Sequence, residues 1–128
     1  MLTYVWSWAG DFRVTEKNIG VERYRIGQEL KYLLDDTLYW IKSNTYPPEE
    51  IAIRFKHRLV SIHCFPNGNG RHSRLMADII IDKIFKQPVF SWGAANLVEQ
   101  SDARADYIKC VRMADAGNLA PLVAFARS

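Results

Sequence analysis

Apolar residues at helical spacing flank a loop at the centre of this chain. Ile51, Phe55, Leu59 and Ile62 precede it, and Leu75, Met76, Ile79, Ile80 and Ile84 follow it. Between them lies His63-Cys64-Phe65-Pro66-Asn67-Gly68-Asn69-Gly70. A period near 3.6 on both sides of a proline- and glycine-bearing break predicts helix, loop, helix. The first helix has a start signal after Thr45, because Pro47, Pro48, Glu49 and Glu50 bring prolines and carboxylates to its first turn. The second is expected from about Gly70 to Lys86, with its five apolar residues inward, and Pro88 stops it.

The rest of the chain supports a mainly α fold. Ile26, Leu30, Leu33, Leu34, Leu38 and Ile41 predict a helix over 27–42, ended by Ser43-Asn44. Residues 13–26 carry β-branched side chains broken by Asn18 and Gly20, which suits a short β-hairpin or exposed flap. Residues 89–103 read as a loop with a short helix, and Trp6 and Trp8 as core. Arg104 to Ala116 predicts a helix with Gly117 at its C′ position. Pro121 falls in the first turn of a last short helix ending near Ala126. The expected architecture is a compact helical bundle with a small β-hairpin flap.

At 128 residues and 48% hydrophobic, the chain suits one domain over 1–128 with a real core. A net charge of +3 without long like-charge blocks gives no ground for direct nucleic-acid binding. Two cysteines, Cys64 and Cys110, form no disulfide framework and point to a reduced, cytoplasmic setting. Met1 to Trp6 lacks the pattern of a signal peptide, and no apolar run is long enough for a membrane span.

The central loop carries the chemistry. His63 can accept a proton from a hydroxyl near neutral pH, or can simply hydrogen-bond a carbonyl at a helix end. Phe65 is expected to anchor the loop in the core, and Pro66 to stiffen it. Gly68-Asn69-Gly70 can aim successive N–H groups at an anion at a helix N-terminus, or can be a plain helix start. Arg71 and Arg74 share one helix face, where guanidiniums hold phosphates bidentately or form a solvated basic face. The conjunction of base, anchor, nest and arginines favours phosphoryl or nucleotidyl transfer. Around it, His57 reads as an exposed helix residue, His72 as facing solvent or the loop, and Cys64 as a small loop packer. Asp78 and Asp82 share a face and are expected to pair with Arg or Lys.

The segment HCFPNGNGRHSR resembles HPFx(D/E)GNGRxxR, the signature of Fic-domain proteins. Trp8-Ala9-Gly10 with Phe12-Arg13 is similar to that family's WAG-x-(F/Y)-R segment, and Tyr107, Asp115-Ala116-Gly117-Asn118 and Pro121-Leu122 resemble its closing helices. Asn67 and the Phe-Ala-Arg-Ser ending make the chain most similar to the mobile mystery protein B group. That group is typically encoded beside a helix-turn-helix partner.

The resemblance implies a Fic fold and a toxin-like protein adenylyltransferase that moves AMP from ATP to a Ser, Thr or Tyr hydroxyl with Mg²⁺. It assigns His63 as general base and Phe65 as anchor. Gly68, Asn69 and Gly70 become the phosphate cradle, with Arg71 and Arg74 on the β- and γ-phosphates. Tyr107 lines the nucleoside pocket, and the target docks at the 13–26 flap by strand addition.

The pattern departs in three places. Cys64 stands for proline. Asn67 stands for the acidic metal ligand, which weakens a Mg²⁺ site. No glutamate precedes Gly or Asn, so the inhibitory (S/T)xxxE(G/N) motif is expected on another chain. Helices that precede Trp8 in the family are expected to be missing here, leaving apolar surface for another chain. Alternatives are transfer of another phosphate-containing group, including kinase activity, and a non-catalytic nucleotide- or partner-binding remnant. Doc-type kinases carry Ala and Lys in place of the middle glycines, whereas Gly68 and Gly70 are intact.

Overall fold

The computed structural model describes residues 20–93 and 100–128. Five α-helices build it: α1 Ile26–Ser43, α2 Pro48–Ile62, α3 Asn69–Ile79, α4 Gln100–Asp115 and α5 Ala120–Arg127. A 3₁₀ turn, Arg23–Arg25, leads into α1, and a π-helical turn, Ile80–Ile84, extends α3. Among the described residues there is no strand.

α2 is the central element and packs against α1, α3 and α5. Pro48 stands in its first turn with Glu49 and Glu50, where a missing N–H costs nothing and carboxylates meet the positive end of the helix dipole. Ile51, Ala52, Ile53, Phe55, Leu59 and Ile62 are all buried on it. Such nearly all-round burial marks a helix enclosed by its neighbours. Ile26 and Leu33 from α1, Ala77 from α3, and Leu122 and Ala126 from α5 complete the core.

The hairpin expected over 13–26 is not seen. Its described part is a bend at Gly20 and Val21 followed by the 3₁₀ turn, because Ile26 is drawn into the core as the first residue of α1. Residues 13–19, with Trp6 and Trp8, lie outside the described residues. The Val21 N–H donates to the Ile62 carbonyl at 3.3 Å, so the chain enters α1 beside the end of α2.

Two helices are rotated from their expected faces. On α1, Leu34 and Leu38 are exposed, whereas Thr37 is buried and satisfies its hydroxyl by donating to the Leu33 carbonyl at 2.7 Å. After α3, the π turn adds a residue to one turn and shifts the phase. Ile81 is fully buried and Ile84, expected inward, is exposed; Leu75 is exposed as well. The C-terminus is tied back by Arg127, whose Nε donates to Glu49 at 2.8 Å and Nη1 to the Pro88 carbonyl at 2.7 Å.

Candidate functional site

α2 ends at Ile62, and His63 turns the chain in a left-handed conformation, φ 56°. That conformation costs a non-glycine residue about 1 kcal/mol or more, which the surrounding packing supports. Cys64 and Phe65 turn inward and are buried, while Pro66 and Asn67 stay exposed. Gly68, at φ 76°, takes the left-handed position that glycine tolerates and opens α3.

Asn69 is buried and its amide clasps the loop. The Phe65 N–H donates to Asn69 Oδ1 at 2.9 Å, and Asn69 Nδ2 donates to the Phe65 carbonyl at 2.9 Å. The side chain of Asn69 is thus spent on the loop, and what it can offer an anion is its backbone N–H. Helix geometry leaves the first N–H groups of α3 without intrahelical partners. A Cβ placed on Gly70 would meet no atom of the described residues within 4 Å, which leaves room for a ligand beside the first turn.

Of the two expected settings for His72, solvent or the loop, it takes the loop. It is buried, with its ring edge-to-face against Phe65 at 4.7 Å between centroids. Burial holds its pKa below the ordinary histidine value. His57 is half-buried and hydrogen-bonds Asp115 at 2.7 Å, joining α2 to α4. Asp78 pairs with no Arg or Lys among the described residues. It accepts from the Phe90 N–H at 3.1 Å and from Trp92 Nε1 at 3.3 Å, while Asp82 pairs with Lys83 at 3.3 Å.

One cavity of about 1150 Å³ gathers the loop residues. His63, Asn67, Gly68, Asn69, Gly70, Arg71 and Arg74 all line it, whereas Phe65 is buried in the core. Trp92, Tyr107, Val111 and Phe125 give the cavity an apolar and aromatic part, and Arg104 and Asp115 line it as well. A polar, cationic part together with an aromatic part suits a ligand with an anionic end and a flat end.

Lys56 is the residue that the sequence reading passed over. It is fully buried on α2, and its ammonium nitrogen donates to the Tyr107 hydroxyl. That nitrogen lies 4.9 Å from the Tyr107 ring centroid, and the Arg74 guanidinium lies 5.7 Å from the same centroid. Burial, and secondarily the charge of Arg74, lowers the Lys56 pKa to about 7. Burial raises the Tyr107 pKa against the opposing pull of Arg74. The signal was present: Lys56 sits four residues after Ala52 and three before Leu59, on an otherwise apolar stripe.

The donors at the cavity do not fit a protein-held divalent cation. Asn67 offers a neutral amide oxygen, Asp115 is engaged by His57, and no cluster of His, Cys, Asp and Glu among the described residues could hold a metal ion.

Fold and site together define a helical domain built around a histidine-bearing loop and a glycine-opened helix N-terminus. The chain belongs to the Fic/DOC family, whose profile matches residues 3–81. It is 28% identical over 119 residues to the protein adenylyltransferase Fic of Drosophila grimshawi, covering 91% of this chain and 23% of that protein. It is 28% identical over 124 residues to the protein adenylyltransferase fic-1 of Caenorhabditis elegans, covering 91% of this chain and 22% of that one. A Fido domain-containing protein of Dictyostelium discoideum is 37% identical over 68 residues, which is 53% of this chain and 42% of that protein. The chain thus spans less than half the length of these relatives. A Fic domain containing signaling protein from Bacteroides thetaiotaomicron has the same fold, with a TM-score of 0.73 at 16% identity over 91% of this chain and 49% of that one. No helix among the described residues is long and apolar enough to cross a membrane.

Proposed function

We propose that this chain transfers the adenylyl group of ATP to a hydroxyl of a target protein. The observation that carries the reading is the single cavity shared by His63, the N-terminus of α3, Arg71 and Arg74. The names of the two adenylyltransferase relatives support it. The hydroxyl oxygen attacks the α-phosphorus, and its proton passes to His63. The bond from the α-phosphorus to the bridging oxygen of the β-phosphate breaks, and pyrophosphate leaves. Backbone N–H groups at the start of α3 and the two guanidiniums hold the charge that develops on the leaving group. Trp92, Tyr107 and Phe125 accept the nucleoside. The target docks as an extended segment near residues 13–26, beside the cavity edge at Gly20.

Asn67 and the Phe-Ala-Arg-Ser ending support a likeness to the mobile mystery protein B group, and with it a helix-turn-helix or inhibitory partner on a second chain. The neutral Asn67 favours a second reading, a nucleotide-binding module without transfer. ATP labelled at the α- or the γ-phosphate, incubated with the protein and a lysate, separates these. Label from the α position marks adenylyl transfer and label from γ marks a kinase. ATP binding without transfer of either label overturns the transferase reading in favour of the module.

A further inference from the structure

A buried lysine needs a reason, because its long side chain and charge both resist burial. Lys56 has no carboxylate partner among the described residues. From α4 it faces the Tyr107 hydroxyl, from α3 the like charge of Arg74, and from the segment after the π turn the Trp92 ring at 5.9 Å. Tyr107, Arg74 and Trp92 all line the cavity, whereas Lys56 lies behind them. The lysine therefore touches the ligand space through its neighbours, and no carboxylate among the described residues balances its charge.

We propose that Lys56 is a proton-linked positioning residue of this site: binding of a polyanionic nucleotide loads its amine with a proton, and the resulting ammonium holds Tyr107 in the cavity wall. The inference rests on the reading of the cavity as a nucleotide site. Negative charge beside Arg74 offsets the repulsion between the two cations and favours the protonated amine. Charged, the amine donates a stronger hydrogen bond to the Tyr107 oxygen. In the free protein the amine is near its midpoint at neutral pH, so the linkage falls in an accessible range.

The sign follows from linkage. A ligand that binds the protonated form better binds more weakly as pH rises above the midpoint of the free protein. The affinity of the intact chain for α,β-methylene ATP is expected to fall about three- to tenfold between about pH 6.5 and pH 8. Calorimetry at neutral pH in buffers of different ionisation enthalpy reads the protons taken up. Wild type should take up roughly half a proton more than Lys56→Met, a difference that cancels the titration of the phosphates themselves. Lys56→Arg should retain affinity and flatten the pH slope, since arginine keeps its charge throughout. NMR titration of the lysine ε-carbons in the wild-type chain gives the same answer without a variant: the lowest lysine pKa should rise when the analogue is added. Analogue binding with equal proton uptake in wild type and Lys56→Met, or with an unmoved lysine titration, overturns this inference alone. Failure of wild type to bind the analogue at any pH overturns the reading of the cavity and this inference with it.

Discussion

Asn69 holds Phe65 by both ends of one peptide residue, with its amide accepting from the N–H and donating to the C=O at 2.9 Å each. Both partners are buried, so neither backbone group has water as a substitute. This clasp closes the loop between His63 and the start of α3. Asn69→Ala should destabilise the fold by about 2–4 kcal/mol, the cost of leaving two buried backbone groups unpaired. Asn69→Asp keeps the acceptor but loses the donor, and its thermal midpoint should lie between those of Asn69→Ala and wild type. Thermal unfolding checks both, and unchanged midpoints would show that the loop closes without the clasp.

His63→Ala should reduce transfer about 10²–10⁴-fold, the range for losing a general base. Nucleotide affinity should stay within a few-fold, because the proposal gives the phosphates to α3 and the arginines. Equal losses of binding and rate, measured by calorimetry and label transfer, would make His63 a structural turn residue.

Asn67→Asp places a carboxylate at the exposed tip of the loop, on the cavity edge. Mg²⁺ prefers charged oxygen ligands. The variant should reach half-maximal transfer at lower Mg²⁺ than wild type. Identical Mg²⁺ titrations would place residue 67 away from the phosphates.

Lys56 lowers stability where it is charged. Its pKa is about 7 in the folded chain against an ordinary value of 10.5, so the unfolded chain binds more protons between those values. Stability should therefore rise with pH from about 7 upward as the buried amine becomes neutral, and the penalty is complete below the folded pKa. Lys56→Met should stabilise the protein by on the order of a few kcal/mol below neutral pH, with a smaller gain in alkali. Denaturant unfolding across pH tests this; a pH-independent difference would mean that the amine is not the titrating group.

His72 works in the opposite pH range. Its folded pKa is below 6.5 through burial, and its Nδ1 has no hydrogen-bond partner among the described residues. The unfolded chain then binds the proton first as pH falls, and stability drops on acidification through that window. His72→Phe preserves a ring against Phe65 and should remove part of this acid sensitivity. Acid unfolding curves that coincide for the variant and wild type would assign the sensitivity to other groups.

The apolar periodicity of residues 51–62 and 75–80 made the central helix–loop–helix legible before any coordinates, because helix burial repeats in sequence. The motif placed His63, Gly68, Gly70, Arg71 and Arg74 in one segment, and one cavity does contain them. Other features depend on partners distant in the chain. The π turn rephased Ile81 and Ile84, and residues 20–26 turned into α1. Asp78 found Trp92 in place of a cation.

Local pattern was sufficient for the family, the helical class and the central loop, since each is written in residues a few positions apart. The role of Asn69 as a clasp, the burial of His72, and the Lys56–Tyr107 pair were settled by packing. Lys56 and Tyr107 are 51 residues apart, and their hydrogen bond exists because side chains of α2 and α4 meet in the fold. Spacing along a chain reports which side chains share a face, whereas dielectric surroundings and hydrogen-bond partners come from what that face is pressed against.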